Sequence, residues 1–234
     1  MTVDYGFGQR TRLEVQVSQN LRYIESAPNA YDWSNQNFLH YLVSSRLDVA
    51  AGFGIGYTKV DPGIDMSYTR PLLRVGWRPT DKLSFDVHGG TEQRHFRSAG
   101  AANLNSPTYG AGAYYQPFQY TTFSLAAERA VSVSYFADQV NDNRSWTAGL
   151  NQRLLEKLSF NASASHTSTR YLPIGSSFVS SREDTSDSYN LRLGTAFLRR
   201  GSIGVVYQHT ENSSTLTGYS FTSKQIGLEI AYSY

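Results

Sequence analysis

The stretch Arg12-Leu13-Glu14-Val15-Gln16-Val17-Ser18-Gln19-Asn20-Leu21-Arg22-Tyr23 alternates polar and apolar residues along almost its whole length. Leu13, Val15, Val17, Leu21 and Tyr23 make one set, and Arg12, Glu14, Gln16, Ser18, Asn20 and Arg22 the other; only Gln19 breaks the apolar set. Successive side chains on a strand point to opposite faces, so this segment has one greasy face and one wet face. A strand of a soluble sandwich has the same pattern. Here, however, the alternation recurs to the end of the chain, in runs that suit the roughly 9–11 residues a tilted strand needs to cross hydrocarbon.

Working outward, the breaks between these runs alternate in length. Gly8–Arg10, Ser44–Arg46, Pro79–Asp81, Pro117–Gln119, Arg153–Lys157 and Arg199–Gly201 are short. Glu25–Asn37, Asp61–Asp65, Arg97–Ser106, Ser132–Asn143, Arg170–Asp187 and Glu211–Gly218 are longer. Sequential antiparallel strands with every second connection tight make an up-and-down meander, and such sorted loops are the pattern of an outer-membrane barrel. The expected strands number about twelve, at 10–24, 37–44, 47–60, 66–78, 82–96, 107–116, 120–131, 144–152, 157–169, 188–198, 202–210 and 221–234. The fold class is therefore all-β: a transmembrane up-and-down antiparallel barrel with short periplasmic turns and longer extracellular loops, forming a single domain over 1–234.

Composition agrees with this class. The 234 residues include 17 Tyr, 12 Phe and 3 Trp but no Cys, and no apolar run approaches the roughly 18 residues of a membrane helix. On the apolar parity, Phe85, Tyr115, Phe123, Phe160, Phe197, Tyr232 and Tyr234 fall near short-turn ends, and Tyr23, Tyr57, Tyr109, Trp146, Tyr189 and Tyr207 near long-loop ends. Small or aliphatic residues lie between them, among them Val15, Val17, Val87, Leu125, Leu191, Leu193, Leu228 and Ile230. Two aromatic girdles around an aliphatic band fit a bilayer better than a sandwich core. The run Phe38 to Val43 is apolar on both faces. Tyr68 and Trp77 fall on opposite parities, which predicts a bulge near Pro71.

Charge supplies an independent check. Lys59 and Arg129 are the main charged residues on the lipid parity; both sit near the loop end, where they are expected to snorkel. The opposite parity carries Arg12, Glu14, Arg22, Arg74, Asp86, His88, Glu92, Arg94, Glu128, Arg192 and Glu229, the candidate lumen lining, with Gly52, Gly54, Gly56, Gly110, Gly112 and Gly204 among them. Mixed charge on an inward face suits a wetted lumen. The same charges could instead pair across the barrel and plug it. Bases crowd the short turns, at Arg10, Arg46, Arg78, Lys82, Arg153, Lys157, Arg199 and Arg200, while acids such as Asp142, Glu183, Asp184 and Asp187 fall in long loops read as solvent-facing surface.

The chain ends Gln225-Ile226-Gly227-Leu228-Glu229-Ile230-Ala231-Tyr232-Ser233-Tyr234. Strict alternation to a final aromatic resembles the terminal strand recognised by the bacterial barrel-assembly machinery. Gln225, Gly227, Ile230 and Tyr232 fall in that pattern's register, and Tyr234 is the final aromatic. Tyr5-Gly6-Phe7-Gly8-Gln9-Arg10-Thr11, Gly76 to Phe85 and Gly218 to Gln225 also resemble the β-barrel porin family of Gram-negative outer-membrane proteins, some of which lie in exopolysaccharide-export gene clusters. The resemblance implies a bacterial outer-membrane location and contact with the bilayer, lipopolysaccharide and the assembly machinery, with polysaccharide-export components as further partners. It brings no catalytic residues. Family members usually carry a signal peptide and more sequence upstream. Met1-Thr2-Val3-Asp4-Tyr5 has neither a charged n-region nor an apolar h-region, so two readings stay open: residues 1–8 as the remnant of a preceding strand in a longer barrel, or a mature chain with a new initiator Met.

Enzyme chemistry finds little support. His40, His88, His95, His166 and His209 have no metal-ligand spacing, and the absence of cysteine excludes thiolate sites and disulfides. Gly52-Phe53-Gly54-Ile55-Gly56 alternates as a strand does and reads as small lumen residues, not as a nucleotide loop. His166 and Ser168 share the lipid parity, which keeps a barrel hydrolase as a minor alternative. The expectation is no cofactor, no metal, no nucleic-acid partner and no catalysis. The function expected is passive passage of small polar solutes or support of polysaccharide export. The runner-up is a closed, plugged barrel acting as an anchor or assembly partner.

Overall fold

The structure is a computed structural model that describes all residues except 24, 26–27, 99, 135–138, 155–156, 175–181, 198–199 and 233–234. Tyr234 and Arg199 therefore lie outside the described residues, as do residues 175–181 of the longest expected loop.

Thirteen strands form a single sheet in sequence order, every neighbour antiparallel. They are β1 (Thr2–Gly6), β2 (Thr11–Arg22), β3 (Asn29–Ser44), β4 (Leu47–Asp61), β5 (Met66–Thr80), β6 (Leu83–Phe96), β7 (Leu104–Phe118), β8 (Thr121–Val133), β9 (Gln139–Leu154), β10 (Leu158–Pro173), β11 (Arg182–Phe197), β12 (Gly201–Ser214) and β13 (Phe221–Tyr232). The twelve expected strands are β2–β13, and residues 1–8 contribute a further strand, β1, paired to β2 from Thr2↔Gln16 to Gly6↔Arg12. β1 and β13 run in the same direction and are the two ends of the hydrogen-bonded sheet; among the described residues no ladder joins them.

Several strands continue further outward than expected. β3 begins at Asn29 instead of 37, β10 runs to Pro173 instead of 169, and β11 begins at Arg182 instead of 188. The β11 extension, Arg182-Glu183-Asp184-Thr185-Ser186-Asp187, is polar on both faces, whereas the β3 extension carries Tyr31 and Trp33 stacked on one side between polar neighbours. Alternation fades once a strand leaves hydrocarbon, yet its ladder continues, since backbone groups still need partners.

The register assigns the two faces. The outward face carries the girdle and aliphatic residues, stacked in cross-strand pairs such as Trp77 with Phe85 and Tyr115 with Phe123. Val17, Leu191, Leu193, Leu228 and Ile230 are exposed, while Leu13 and Val15 are half-covered beside β1. The inward face holds most of the buried residues, including Phe38, His40, Ala50, Thr58, Leu72, Glu92 and Arg94.

Two local expectations are corrected. The β4–β5 ladder passes through Phe53↔Pro71 without a shift, and the β5–β6 irregularity lies between Trp77 and Thr80, so there is no bulge at Pro71. Tyr68 is an inward residue and needs no bulge: it faces Gly56 across the ladder, and a Cβ on that glycine would collide with its ring. Phe38 on Gly52 and His88 on Gly110 repeat the arrangement. Each of these three glycines leaves room for a ring from a neighbouring strand, a direct packing reason for glycine inside a strand.

Candidate functional site

The site is the inner face together with the end of one hairpin. The β7–β8 ladder stops at Tyr109↔Arg129, although β7 continues outward to Leu104 and β8 to Val133. Past that point the β8–β9 hairpin stays paired to itself, Val131↔Asp142 and Val133↔Val140, and leaves the wall. Its residues Val131 and Val140 join Val60, Met66 and Ile174 in one buried cluster, with Phe96, Leu104 and Leu172 packed around it. Val60 and Met66 come from the inner faces of β4 and β5. The hairpin therefore folds into the outer mouth, where its apolar residues gain burial that they would lack as a solvent-facing loop.

This corrects two readings. Ser132–Asn143 is not wholly a surface loop, since Gln139, Asn141 and Asp142 are buried. Arg129 does not snorkel. Its Nε and Nη2 donate to Asp142 at 3.0 and 2.9 Å, and Nη2 lies 3.4 Å from the Ser106 hydroxyl on the inner face of β7. Asp184, also expected on a surface loop, is buried against Arg182.

Beneath the hairpin lies a compact ion-pair group. Glu92, 1% exposed, accepts from Arg70 Nε at 3.0 Å and from Arg94 Nε and Nη2 at 2.9 and 2.6 Å. A fully buried carboxylate requires such pairing. Arg94 Nη2 also donates to the Val131 carbonyl at 3.2 Å, and Arg22 Nη2 donates to the Ser134 carbonyl at 2.8 Å. Both bonds hold the hairpin from below. The Thr58 hydroxyl donates to Asp32 at 2.6 Å. Asn20, Arg22, Asp32, Tyr68, Arg70 and Arg94, roofed by Val131–Val133, line a cavity of about 280 Å³.

A second group lies nearer the short turns. His40, 3% exposed, sits between Asp48 at 2.8 Å and Glu14 at 3.2 Å. Arg12 reaches Asp4 at 3.0 Å and Asp48 at 3.5 Å, and Arg74 reaches Glu14 at 3.7 Å while its guanidinium covers the Phe38 ring at 4.1 Å. Asp86 and His88 approach to 3.7 Å. Glu128 faces Gly110 on the same inward face and is exposed. Arg192 and Glu229 pair at 2.7 Å on the inner face of β11 and β13, apart from these groups.

All eleven candidate lining residues thus fall on one face, in three separate groups plus Glu128. The sequence reading omitted His40, Asp48, Tyr68 and Arg70. His40 sits in a run apolar on both faces, which hides parity; pairing with Arg12 in the β2–β3 ladder identifies its inward side. Gln225, Gly227, Ile230 and Tyr232 all lie on β13, the terminal strand of the sheet.

The hydrolase alternative can be examined at His166 and Ser168. His166 Nδ1 lies 2.8 Å from Asp187, but the Ser168 hydroxyl donates to Glu183 at 3.1 Å instead of to His166. The ring stacks on Trp146 at 6.0 Å, as a girdle side chain does. Among the described residues no group of His, Cys, Asp and Glu is arranged to hold a metal ion.

No protein-family model matches the chain. No curated protein matches it either. Solved structures of bacterial outer-membrane proteins do. The alcaligin outer-membrane receptor FauA of Bordetella pertussis matches with a TM-score of 0.54 at 14% identity, over 95% of this chain and 47% of that one. This chain thus spans about half the receptor's length. The CymD monoaromatic hydrocarbon channel matches with a TM-score of 0.45 at 12% identity, covering 98% and 80% of the two chains. The trimer form of OmpT, an outer membrane protein of Vibrio cholerae, gives 0.44 at 8%, covering 96% and 99%. The class that fold and faces define is the transmembrane β-barrel of the bacterial outer membrane.

Proposed function

We propose that the chain forms a constricted outer-membrane channel for passive passage of small polar solutes. The observation that carries this reading is the asymmetry of the inner face. Along β3–β7 it is filled by Phe38, Leu72, Glu92 and Arg94 and roofed by the hairpin. Along β10–β13 it carries Ser163, Asn190, Gly194, Gly204, Gln208 and Gly227, small or polar residues beside the exposed Arg192–Glu229 pair. A polar wall without bulky side chains wets readily, and the water path would run between it and the hairpin. Support of polysaccharide export is the variant that rests on the porin-family resemblance. Lipopolysaccharide and the barrel-assembly machinery are the partners we assign; we assign no catalytic step.

The plugged-anchor reading draws on the same filling of the β3–β7 side. Single-channel recording of the refolded protein in planar bilayers separates the two. Discrete conductance steps that enlarge when residues 132–142 are replaced by a short turn support the channel. Silence from both proteins supports the anchor.

A further inference from the structure

We propose that a second, smaller cavity on the inner face binds a small zwitterion of the α-amino acid class. The proposal deepens the channel reading by naming a solute class, and it rests on that reading for the route by which the solute arrives. The cavity, of about 170 Å³, lies beside β8, between the filled strands β3–β7 and the polar wall of β10–β13, and its polar lining includes Arg74, His88, Thr108 and Glu128.

The first ground is the placement of charge. One row of the ladder reads Arg74↔His88↔Gly110↔Glu128, from β5 to β8. Three strand spacings of about 4.8 Å put roughly 14 Å of sheet between Arg74 and Glu128. Arg74 makes no hydrogen bond among the described residues: Glu14 stands 3.7 Å from its Nη1, and the Phe38 ring lies 4.1 Å from its guanidinium. Glu128 is exposed and has no hydrogen bond or ion pair among the described residues. Arg70 and Arg129 also line the cavity but are already paired, with Glu92 and Asp142. A cation and an anion held apart on one face each repel a solute of their own sign, and each attracts one end of a zwitterion.

The second ground is an unpartnered hydroxyl. Thr108 is 5% exposed, and its Oγ1 has no hydrogen-bond partner. Buried polar groups are nearly always bonded, so an unbonded hydroxyl lining a cavity marks a place for a ligand atom. Thr108 precedes Gly110 by one step on the inner face of β7. The His88 ring lies over Gly110, and Asp86 approaches it only to 3.7 Å, which leaves the ring nitrogens as further polar partners. The third ground is size. The volume equals about six water molecules at roughly 30 Å³ each, which is the bulk of an amino acid with a very short side chain. Phe38, Leu72 and Ala130 supply the apolar part of the lining, against which that side chain would rest.

L-Alanine is the probe, with propionate and ethylammonium as matched ions that lack its ammonium and its carboxylate. Saturation-transfer NMR on the full chain refolded in detergent, at low ionic strength, reads the affinities. The Kd of L-alanine should be about tenfold or more below that of ethylammonium, and about threefold or more below that of propionate, because the exposed Glu128 is the better screened of the two charges. Glu128→Gln should weaken L-alanine about threefold or more and leave propionate unchanged or tighter. Arg74→Gln should weaken L-alanine about tenfold and leave ethylammonium unchanged or tighter. Thr108→Val should weaken L-alanine about two- to tenfold, the range for one neutral hydrogen bond. Heat-modifiable gel mobility establishes that each variant is folded, and Glu128→Gln, which removes no contact among the described residues, carries the test if Arg74→Gln does not fold. L-Alanine binding no tighter than the two ions, or equal L-alanine affinity in the parent and Glu128→Gln, overturns the site. Planar-bilayer recording in potassium chloride separates the two claims. Conductance without L-alanine binding overturns the site and leaves the channel; binding without conductance does the reverse.

Discussion

Arg129 and Asp142 join through two hydrogen bonds, at 3.0 and 2.9 Å, at the point where β8 leaves β7 and turns into the barrel. The pair acts as a hinge pin. Asp142 is buried, Arg129 is largely covered, and the two strands they lie on remain neighbours in the hairpin.

Asp142→Asn therefore tests what holds the hairpin in. It leaves a covered guanidinium facing a neutral amide and should lower the cost of hairpin opening by about 1.5–3 kcal/mol, the range for a charge-assisted bond. Hydrogen exchange of the Val131 and Val140 amides should quicken by the corresponding factor, while exchange in the β3–β4 ladder stays unchanged. Uniform change across both regions would mean that the pair stabilises the whole sheet instead of the hairpin.

Gly52 and Gly227 form a matched pair for the packing argument. A methyl on Gly52 meets the Phe38 ring and the Asn37 carbonyl, whereas a methyl on Gly227 meets nothing within 4 Å. Gly52→Ala should destabilise the folded state by about 1–3 kcal/mol, the cost of overpacking, and Gly227→Ala by less than about 0.5 kcal/mol. Urea unfolding from lipid vesicles reads both. Equal effects would remove the ring-over-glycine account.

The contrast also shows where sequence reading reaches. Alternation along each strand puts the candidate lining residues on the polar parity, and the register keeps them on one face, because parity has period two and the ladder transmits it from strand to strand. Parity could not reveal the hairpin. Val133 and Val140 fall in the expected long connection Ser132–Asn143 and Val131 at the end of its strand, and they turn inward where the ladder to β7 ends at Arg129, a break with no local sequence mark. Tyr68 was misread for a related reason: an aromatic ring serves a girdle or a glycine-floored lumen equally well, and only its register partner Gly56 decides.

Leu193 and Arg192 test the two faces at neighbouring positions. Leu193 is exposed on the outward side, and Arg192 pairs with Glu229 on the inner side. Leu193→Arg should cost about 2–4 kcal/mol in folding into lipid vesicles if it lies near the midplane. Arg192→Leu should cost less than about 1 kcal/mol, since an exposed ion pair contributes little. A reversed order would mean that the faces are inverted and that the greasy side packs against protein.

Tyr232 carries the last test, of the terminal strand as an assembly signal. β13 is the last strand of the sheet and pairs with β12 among the described residues. An edge strand readily accepts another strand, and on the proposed reading the assembly machinery would pair there while the alternating side chains report the strand's identity. Tyr232 is 58% exposed and lies opposite Gly201 at the end of the strand. Tyr232→Ser should thus change the stability of refolded protein by less than about 1 kcal/mol. On the assembly-signal reading, outer-membrane yield in cells should nevertheless fall several-fold. Urea unfolding in vesicles measures the first quantity, and immunoblotting of membrane fractions the second. Equal cellular yields of variant and parent, with unchanged stability, would show that Tyr232 is an ordinary girdle residue and that the signal resides elsewhere in β13.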